Sequence, residues 1–287
     1  AFIVPEILAL DENVLEGYYK ELPELELYRK QIEEIERTKA HTLSAEMEKL
    51  VAMGAITPEA DRYLKGLVEA KYNIFISGGT GAGKTTFLNI LSNYIPVSER
   101  IITIEDSAEL QIQNVENIVR MESRNANVEG KNQVTIRDLI RSALRMRPDR
   151  IVVGEIRDAT AIDMLTAMNT GHDGSLSTGH ANSPKDMLNR LETLVLMGMD
   201  IPLPAIRQQI SSAIDIIVHL GRLRDRSRKV LEICEIGNVV EGEIEVFPIF
   251  TFCELGEEEG RILGTLERTG HVLRSMDKCR RAGVSLS

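Results

Sequence analysis

Residues 73–94 read NIFISGGTGAGKTTFLNILSNY: an apolar run, a glycine-rich turn, then a stretch that opens as a helix at Lys84. The spacing Gly78-x4-Gly83-Lys84-Thr85 is that of a phosphate-binding loop. Glycine is needed there because the backbone must fold closely around oxyanions and aim several N–H groups inward. A helix that starts directly after the turn adds favourable potential for the same charge. Gly78, Gly79, Thr80, Gly81, Ala82, Gly83, Lys84, Thr85 and Thr86 are therefore the candidate nucleotide-binding residues. Lys84 is expected to reach the β and γ phosphates, and the Thr85 hydroxyl to ligate Mg2+. A purely structural glycine turn would need neither the Lys-Thr ending nor the strand before and the helix after it. A loop of this kind serves many reactions, so other segments must choose among them.

Working outward, short β-rich runs alternate with amphipathic stretches. The strands read NIFIS, IITIE (101–105), NIVRM (117–121), RIVVGE (150–155) and GSLST (174–178). Helices are expected from Lys84 and near 136–146, 159–168 and 184–197. This alternation predicts an α/β fold with a mostly parallel sheet flanked by helices on both faces. "TPEADRYLKGLVEAK" reads as a capped helix, with Thr57 as N-cap and Pro58 in the first turn. After about residue 228 the pattern becomes KVLEICEI and EIEVFPIFTF around a turn at Gly242, which reads as antiparallel strands, followed by a basic closing helix.

The first fifty residues differ: they are acidic, leucine-rich and near helical spacing, with Pro23 as an interruption. Residues 1–55 are expected to form a short helical amino-terminal segment, and residues 56–287 the main domain. The ordinary reading of such a stretch is an amphipathic packing helix; the alternative is a partner-binding arm.

The 287 residues carry a formal charge of −10, which argues against a polyanion as partner. No run approaches the roughly 20 apolar residues of a spanning helix, and no amino-terminal signal is visible. Cys234, Cys253 and Cys279 fit no metal spacing and read as reduced thiols of a cytoplasmic protein. The chain opens at Ala1 without a methionine, as expected of a fragment.

Two strand ends carry acids. RIVVGEIRD delivers Glu155, and IITIEDSAEL delivers Glu105, Asp106 and Glu109. Open α/β sheets bind ligands at the carboxyl ends of their strands. One carboxylate for the metal and one for orienting water is what ATP hydrolysis requires. Against this stands the plain reading of solvated loop acids. Thr135 and Asp138 look like a capping box for a helix that places Arg137, Arg141 and Arg145 on one side, with Arg147, Arg150 and Arg157 close behind. Arginines so concentrated in an acidic chain point to phosphate contact or a subunit interface for at least one of them, and Arg157, beside Glu155, is the catalytic candidate.

"TGHDGSLSTGHANS" (170–183) carries His172 and His180, readable as metal ligands, bases or loop spacers. A zinc pair does not suit their separation, with no cysteine nearby. "SPKDMLNRLETL" then opens a helix with Ser183 as cap and Pro184 in the first turn.

Four blocks in order, GGTGAGKTT, TIEDSAEL, LRMRPDRIVVGEIRD and TGHDGSLSTGHANS, resemble the Walker A, Asp box, Walker B and His box of the type II/type IV secretion ATPase superfamily. The last two, with NRLETLVLMGMDIPLPAIRQQISSAIDIIVHLGRLRDRSRKV, look most like the ATPases of tight-adherence (Tad) pilus assembly. The resemblance runs from about Met47 to the carboxyl terminus. It implies a RecA-like P-loop NTPase core, a homohexamer, and ATP-driven work on an inner-membrane platform protein of a pilus or secretion machine, with the motor cytoplasmic and peripheral to the inner membrane. It also implies Lys84 and Thr85 on phosphate and Mg2+, Glu155 in metal or water contact, Glu105 as the water-activating carboxylate, and His180 near the γ-phosphate with His172 alongside. The division between the two glutamates stays open. For His180 a γ-phosphate sensor is expected, since a neutral imidazole can donate one hydrogen bond. Family members usually carry a separate amino-terminal α/β domain, and the first fifty residues are expected to be too short and too helical for it, a truncated or replaced version. Two other functions fit a phosphate loop: a nucleic-acid translocase, disfavoured by the charge and by the lack of aromatic interleaving in the basic segments, and a nucleotide-binding scaffold without turnover.

Overall fold

The computed structural model describes residues 46–128 and 131–286. Residues 1–45 of the expected helical amino-terminal segment, Pro23 included, lie outside these residues. Glu46–Ser287 forms one compact unit, and Met47 and Ile56 belong to its core, 3% and 2% exposed.

A nine-stranded sheet orders the unit, β3-β2-β4-β5-β1-β6-β7-β8-β9. Strands β1 (Ile74–Gly78), β2 (Ile101–Glu105), β3 (Ile118–Glu122), β4 (Arg150–Val153), β5 (Leu176–Gly179) and β6 (Ile216–Arg222) run parallel. β7 (Arg228–Val240), β8 (Glu243–Glu258) and β9 (Arg261–Arg268) continue it antiparallel. The helices are α1 (Pro58–Glu69), α2 (Lys84–Ser92), α3 (Ile136–Ala143), α4 (Ala161–Asn169), α5 (Pro184–Leu196), α6 (Leu203–Ala213) and α7 (Asp277–Ala282).

The inner strands are buried on both faces, which explains their continuous apolar runs. Side chains alternate between faces. Ile74 and Ile76 of β1 join the core beneath α1 and α2, whereas Phe75 joins the one beneath α3, α4, α5 and α6. Two cores on opposite faces of one sheet are what the alternating pattern implied.

Several local expectations are met in detail. Thr57 caps α1 by accepting from the Ala60 N–H, and Thr135 and Asp138 close a reciprocal capping box on α3. Ser183 accepts from the Asp186 N–H at 3.0 Å and starts α5. The turn at Glu241-Gly242 has positive φ at both residues, matching the twist of the β7–β8 hairpin.

Other expectations need correction. Helix α3 stops at Ala143, not near 146, because Arg147 takes φ +53° ahead of Pro148. Strand β4 ends at Val153, so Glu155 stands on the loop beyond it rather than on the strand. The sequence reading also passed over α6, β6 and β9.

Candidate functional site

The phosphate loop leaves β1 at Gly78 and enters α2 at Lys84. Gly81 and Gly83 sit at φ +74° and +96°, left-handed conformations that a Cβ would strain. Gly83 is the N-cap of α2, so the first free N–H groups of that helix face the loop.

Lys84 is 8% exposed. Its Nζ donates to the carbonyls of Gly78 at 3.1 Å and Gly79 at 3.3 Å, and lies 3.2 Å from His180 Nδ1. An ammonium can only donate, so Nδ1 is the unprotonated nitrogen and Nε2 carries the proton. Nε2 is 2.7 Å from Glu155 Oε1. The two are close but misaligned, for Glu155 Oε1 is buried without a hydrogen bond. Glu155 Oε2 is held by Arg157 through Nε at 2.6 Å, and Arg157 reaches Asp106 at 3.8 Å.

A continuous polar ladder results: Lys84 beyond β1, His180 beyond β5, Glu155 and Arg157 beyond β4, Asp106 beyond β2. All stand at the carboxyl ends of parallel strands, where open α/β sheets bind ligands. Burial lowers the Lys84 amine from its ordinary value, with Glu155 pulling the other way. Burial, and after it the Lys84 charge, pushes the His180 imidazole below its ordinary value and keeps it neutral.

Glu105 is close by and differently held. It is 6% exposed, and its Oε1 accepts from the Glu109 N–H at 3.0 Å and the Leu110 N–H at 2.9 Å. A Cβ on Gly154 would come within 3.2 Å of its Cγ, so the carboxyl lies directly against the residue before Glu155. Burial pushes the Glu105 carboxyl above its ordinary value, and the two backbone hydrogen bonds offset part of that rise.

The sequence candidates divide accordingly. Lys84, His180, Glu155, Arg157 and Glu105 come together around the phosphate loop. His172 does not: it precedes the amino end of β5, next to the level of Asn73, whereas His180 follows the carboxyl end beside Gly78. The strand between them separates the pair. Arg137, Arg141 and Arg150 are held by partners away from the site. Arg137 and Arg141 both pair with Asp163, at 2.7 and 3.2 Å. Arg150 is fully buried, gripping Glu99 through Nη2 at 2.9 Å and the Val68 carbonyl at 2.7 Å. Glu109 and Asp106 are exposed.

A cleft of about 390 Å³ opens over the loop, lined by Gly79, Thr80, His180, Asn182, Asp186 and Arg190. The last three were missed. Their i, i+4, i+8 spacing puts them on one side of the chain entering α5, a signal present in the sequence.

Among the described residues no three His, Cys, Asp or Glu side chains gather to hold a metal ion. Mg2+ is usually bound by substrate phosphates, water and one or two protein oxygens rather than by a protein cage. The orphaned Glu155 Oε1 would suit a water of such an ion, and Thr85, the second residue of α2, carries a hydroxyl at the end of the loop. No helix of the described residues is long and apolar enough to cross a membrane.

The chain is similar to known proteins of one family. The Type II/IV secretion system protein family model matches residues 32–267. A putative conjugal transfer protein of Mycobacterium tuberculosis is 41% identical over 201 residues, 70% of this chain and 56% of the relative. The type IV secretion system protein PtlH of Bordetella pertussis is 38% identical over 179 residues, 60% of this chain and 52% of the relative. The VirB11 ATPase from the Brucella suis type IV secretion system superposes with a TM-score of 0.55 at 33% identity, over 65% of this chain and 55% of that one. The chain thus spans about half the length of the relatives it matches, and its core is RecA-like, as the four blocks implied. With a phosphate loop, acidic strand ends and a histidine loop in this order, and a family match over most of its length, the chain belongs to the type II/IV secretion system protein family.

Proposed function

We propose that this chain hydrolyses ATP as the motor domain of a machine that assembles a pilus, of the tight-adherence type, or secretes protein. The observation that carries this reading is the ladder from Lys84 through His180 to Glu155 and Arg157 across the strand ends. It links the groups that would meet the terminal phosphate to the groups that would meet water.

In this reading the loop amides and Lys84 hold the triphosphate. Lys84 exchanges its own loop carbonyls for phosphate oxygens, so its charge-assisted bonds are strongest once nucleotide arrives. Thr85 and Glu155 would hold Mg2+, which when bound would supply neutralising charge at the phosphates. The two glutamates take different parts. Glu155 is committed to Arg157 and stands against His180, which suits orientation rather than proton uptake. Glu105 keeps Oε2 free of backbone partners and has its basicity raised by burial. It therefore takes the proton from the attacking water. His180 contacts both Lys84 and Glu155, so departure of the γ-phosphate alters both of its neighbours and shifts the loop at the start of α5. Arg157 stabilises charge on the transferred phosphoryl group when Glu155 releases it.

In this reading the motor works as a homohexamer on the cytoplasmic face of the inner membrane, against a platform protein there; the relatives support the coarser point that the machine is one of secretion or conjugal transfer. Steady-state phosphate release by the purified chain, with and without Mg2+, tests the activity, and particle mass with a nonhydrolysable ATP analogue tests the ring. No phosphate release under saturating Mg·ATP, in any oligomeric state, would refute the motor. Strong stimulation by single-stranded DNA would favour a translocase instead.

A further inference from the structure

His219 takes no part in the ladder, yet it is 5% exposed and sits in the sheet directly behind the phosphate loop. In the β1–β6 register it lies opposite Ser77, the last side chain before the loop. Ser77 Oγ is 2.8 Å from His219 Nδ1. The ring also bonds the Asn182 backbone, two residues beyond His180 and next to the Ser183 cap of α5. The Ser77 contact uses Nδ1, which leaves Nε2 as the edge for the Asn182 backbone; a neutral ring protonated at Nε2 lets Nδ1 accept from the Ser77 hydroxyl.

A β-bulge falls between His219 and Leu220. Bulges re-aim side chains beside functional sites. On the other side of the bulge, the Leu220 carbonyl lies 2.6 Å from where a Cβ on Gly78 would stand. Consecutive residues of β6 therefore press on the phosphate loop and hold the histidine loop.

We propose that His219 is a positioning residue, which fixes the 180–183 loop to the strand that feeds the phosphate loop and so sets the place of His180. This rests on the hydrolytic reading above. A neutral imidazole is the side chain that can accept from a hydroxyl and donate to a carbonyl on opposite edges of one ring. Burial, which holds its pKa below the ordinary value, favours that neutral form, although Asp186 and the Asn182 bond pull upward.

The test uses the full chain with His219→Leu, which keeps the bulk and loses both bonds, and His219→Gln, which keeps an acceptor and a donor. Ser77→Ala removes one bond only and serves should the leucine variant fail to fold. Hydrogen–deuterium exchange of the 180–183 amides is expected to speed up about tenfold in the leucine variant and in Ser77→Ala, with β1, β4 and β5 unchanged. The glutamine variant restores protection. Turnover falls about 100-fold in His219→Leu with Mg·ADP affinity and KM unchanged, as expected for a displaced group rather than a lost binding contact. Unchanged exchange at 180–183, or exchange that rises uniformly across the sheet, would overturn the proposal. So would a glutamine variant no better than leucine. If the wild type releases no phosphate, the motor reading fails, while the exchange data still decide the role of His219.

Discussion

Glu105→Gln separates the two carboxylates most sharply. The amide keeps Oε1, so the hydrogen bonds from Glu109 and Leu110, at 3.0 and 2.9 Å, survive and the strand end stays in place. What disappears is Oε2, the carboxylate oxygen that neither backbone N–H occupies. A positioned general base contributes about 10²–10⁴-fold, so turnover falls by that factor, roughly 3–5 kcal/mol of barrier. ATP affinity is unchanged, because Lys84 and the loop amides are untouched. The pH profile changes with it. Burial raises the folded-state pKa of Glu105, and the active form is the carboxylate. Wild-type kcat/KM therefore rises with pH through a value above that of an ordinary glutamate, and the variant lacks this acidic limb. The stability sign is opposite. A folded-state pKa raised above the unfolded one contributes stability at low pH that is lost as pH rises through the folded value. At neutral pH the buried carboxylate is thus a burden on the fold, and Glu105→Gln melts no lower than wild type and somewhat higher. Phosphate release across pH, calorimetric titration with Mg·ATP and a melting curve make the assay. Turnover within about threefold of wild type, with the acidic limb intact, would refute the assignment of Glu105 as base.

Further outcomes follow from the same geometry. Lys84→Ala removes the only loop ammonium and costs about 1.5–3 kcal/mol for its charge-assisted bonds, so calorimetry shows ATP affinity down about tenfold or more. His180→Ala leaves binding intact and lowers kcat with little change in KM, since it breaks the Lys84–His180–Glu155 bridge; an unchanged kcat would sink the sensor role. Arg150→Met strands Glu99 and the Val68 carbonyl in the core, and urea unfolding should show a loss of about 3–5 kcal/mol, against under 1 for a dispensable pair. Cys253 reacts first with a thiol reagent in the folded chain, because Cys279 is 1% exposed and burial pushes the Cys234 thiol up to about 12; fast labelling of Cys234 would contradict the fold of β7.

Features whose partners lie within a few residues were legible in the chain itself. The phosphate loop, the Thr57 and Ser183 caps, the Thr135–Asp138 box and the turn at Gly242 each depend on local φ/ψ and nearby N–H groups, and each stands where spacing put it. The alternation of apolar runs and helices likewise specified a parallel sheet with two covered faces, since a strand buried on both sides cannot alternate in polarity. What only the tertiary structure decided is which distant side chains meet. Sheet order carries β5 between β1 and β4, so His180 bridges Lys84 and Glu155 while His172, eight positions earlier, falls at the far end of the same strand. The six neighbouring arginines looked alike in sequence; packing buried Arg150 against Glu99, tied Arg137 and Arg141 to Asp163, and left Arg157 at the site. Glu105 and Glu155 could not be told apart by spacing, because their difference lies in desolvation and in who occupies each oxygen. Those are properties of contacts across the sheet, which no local pattern encodes.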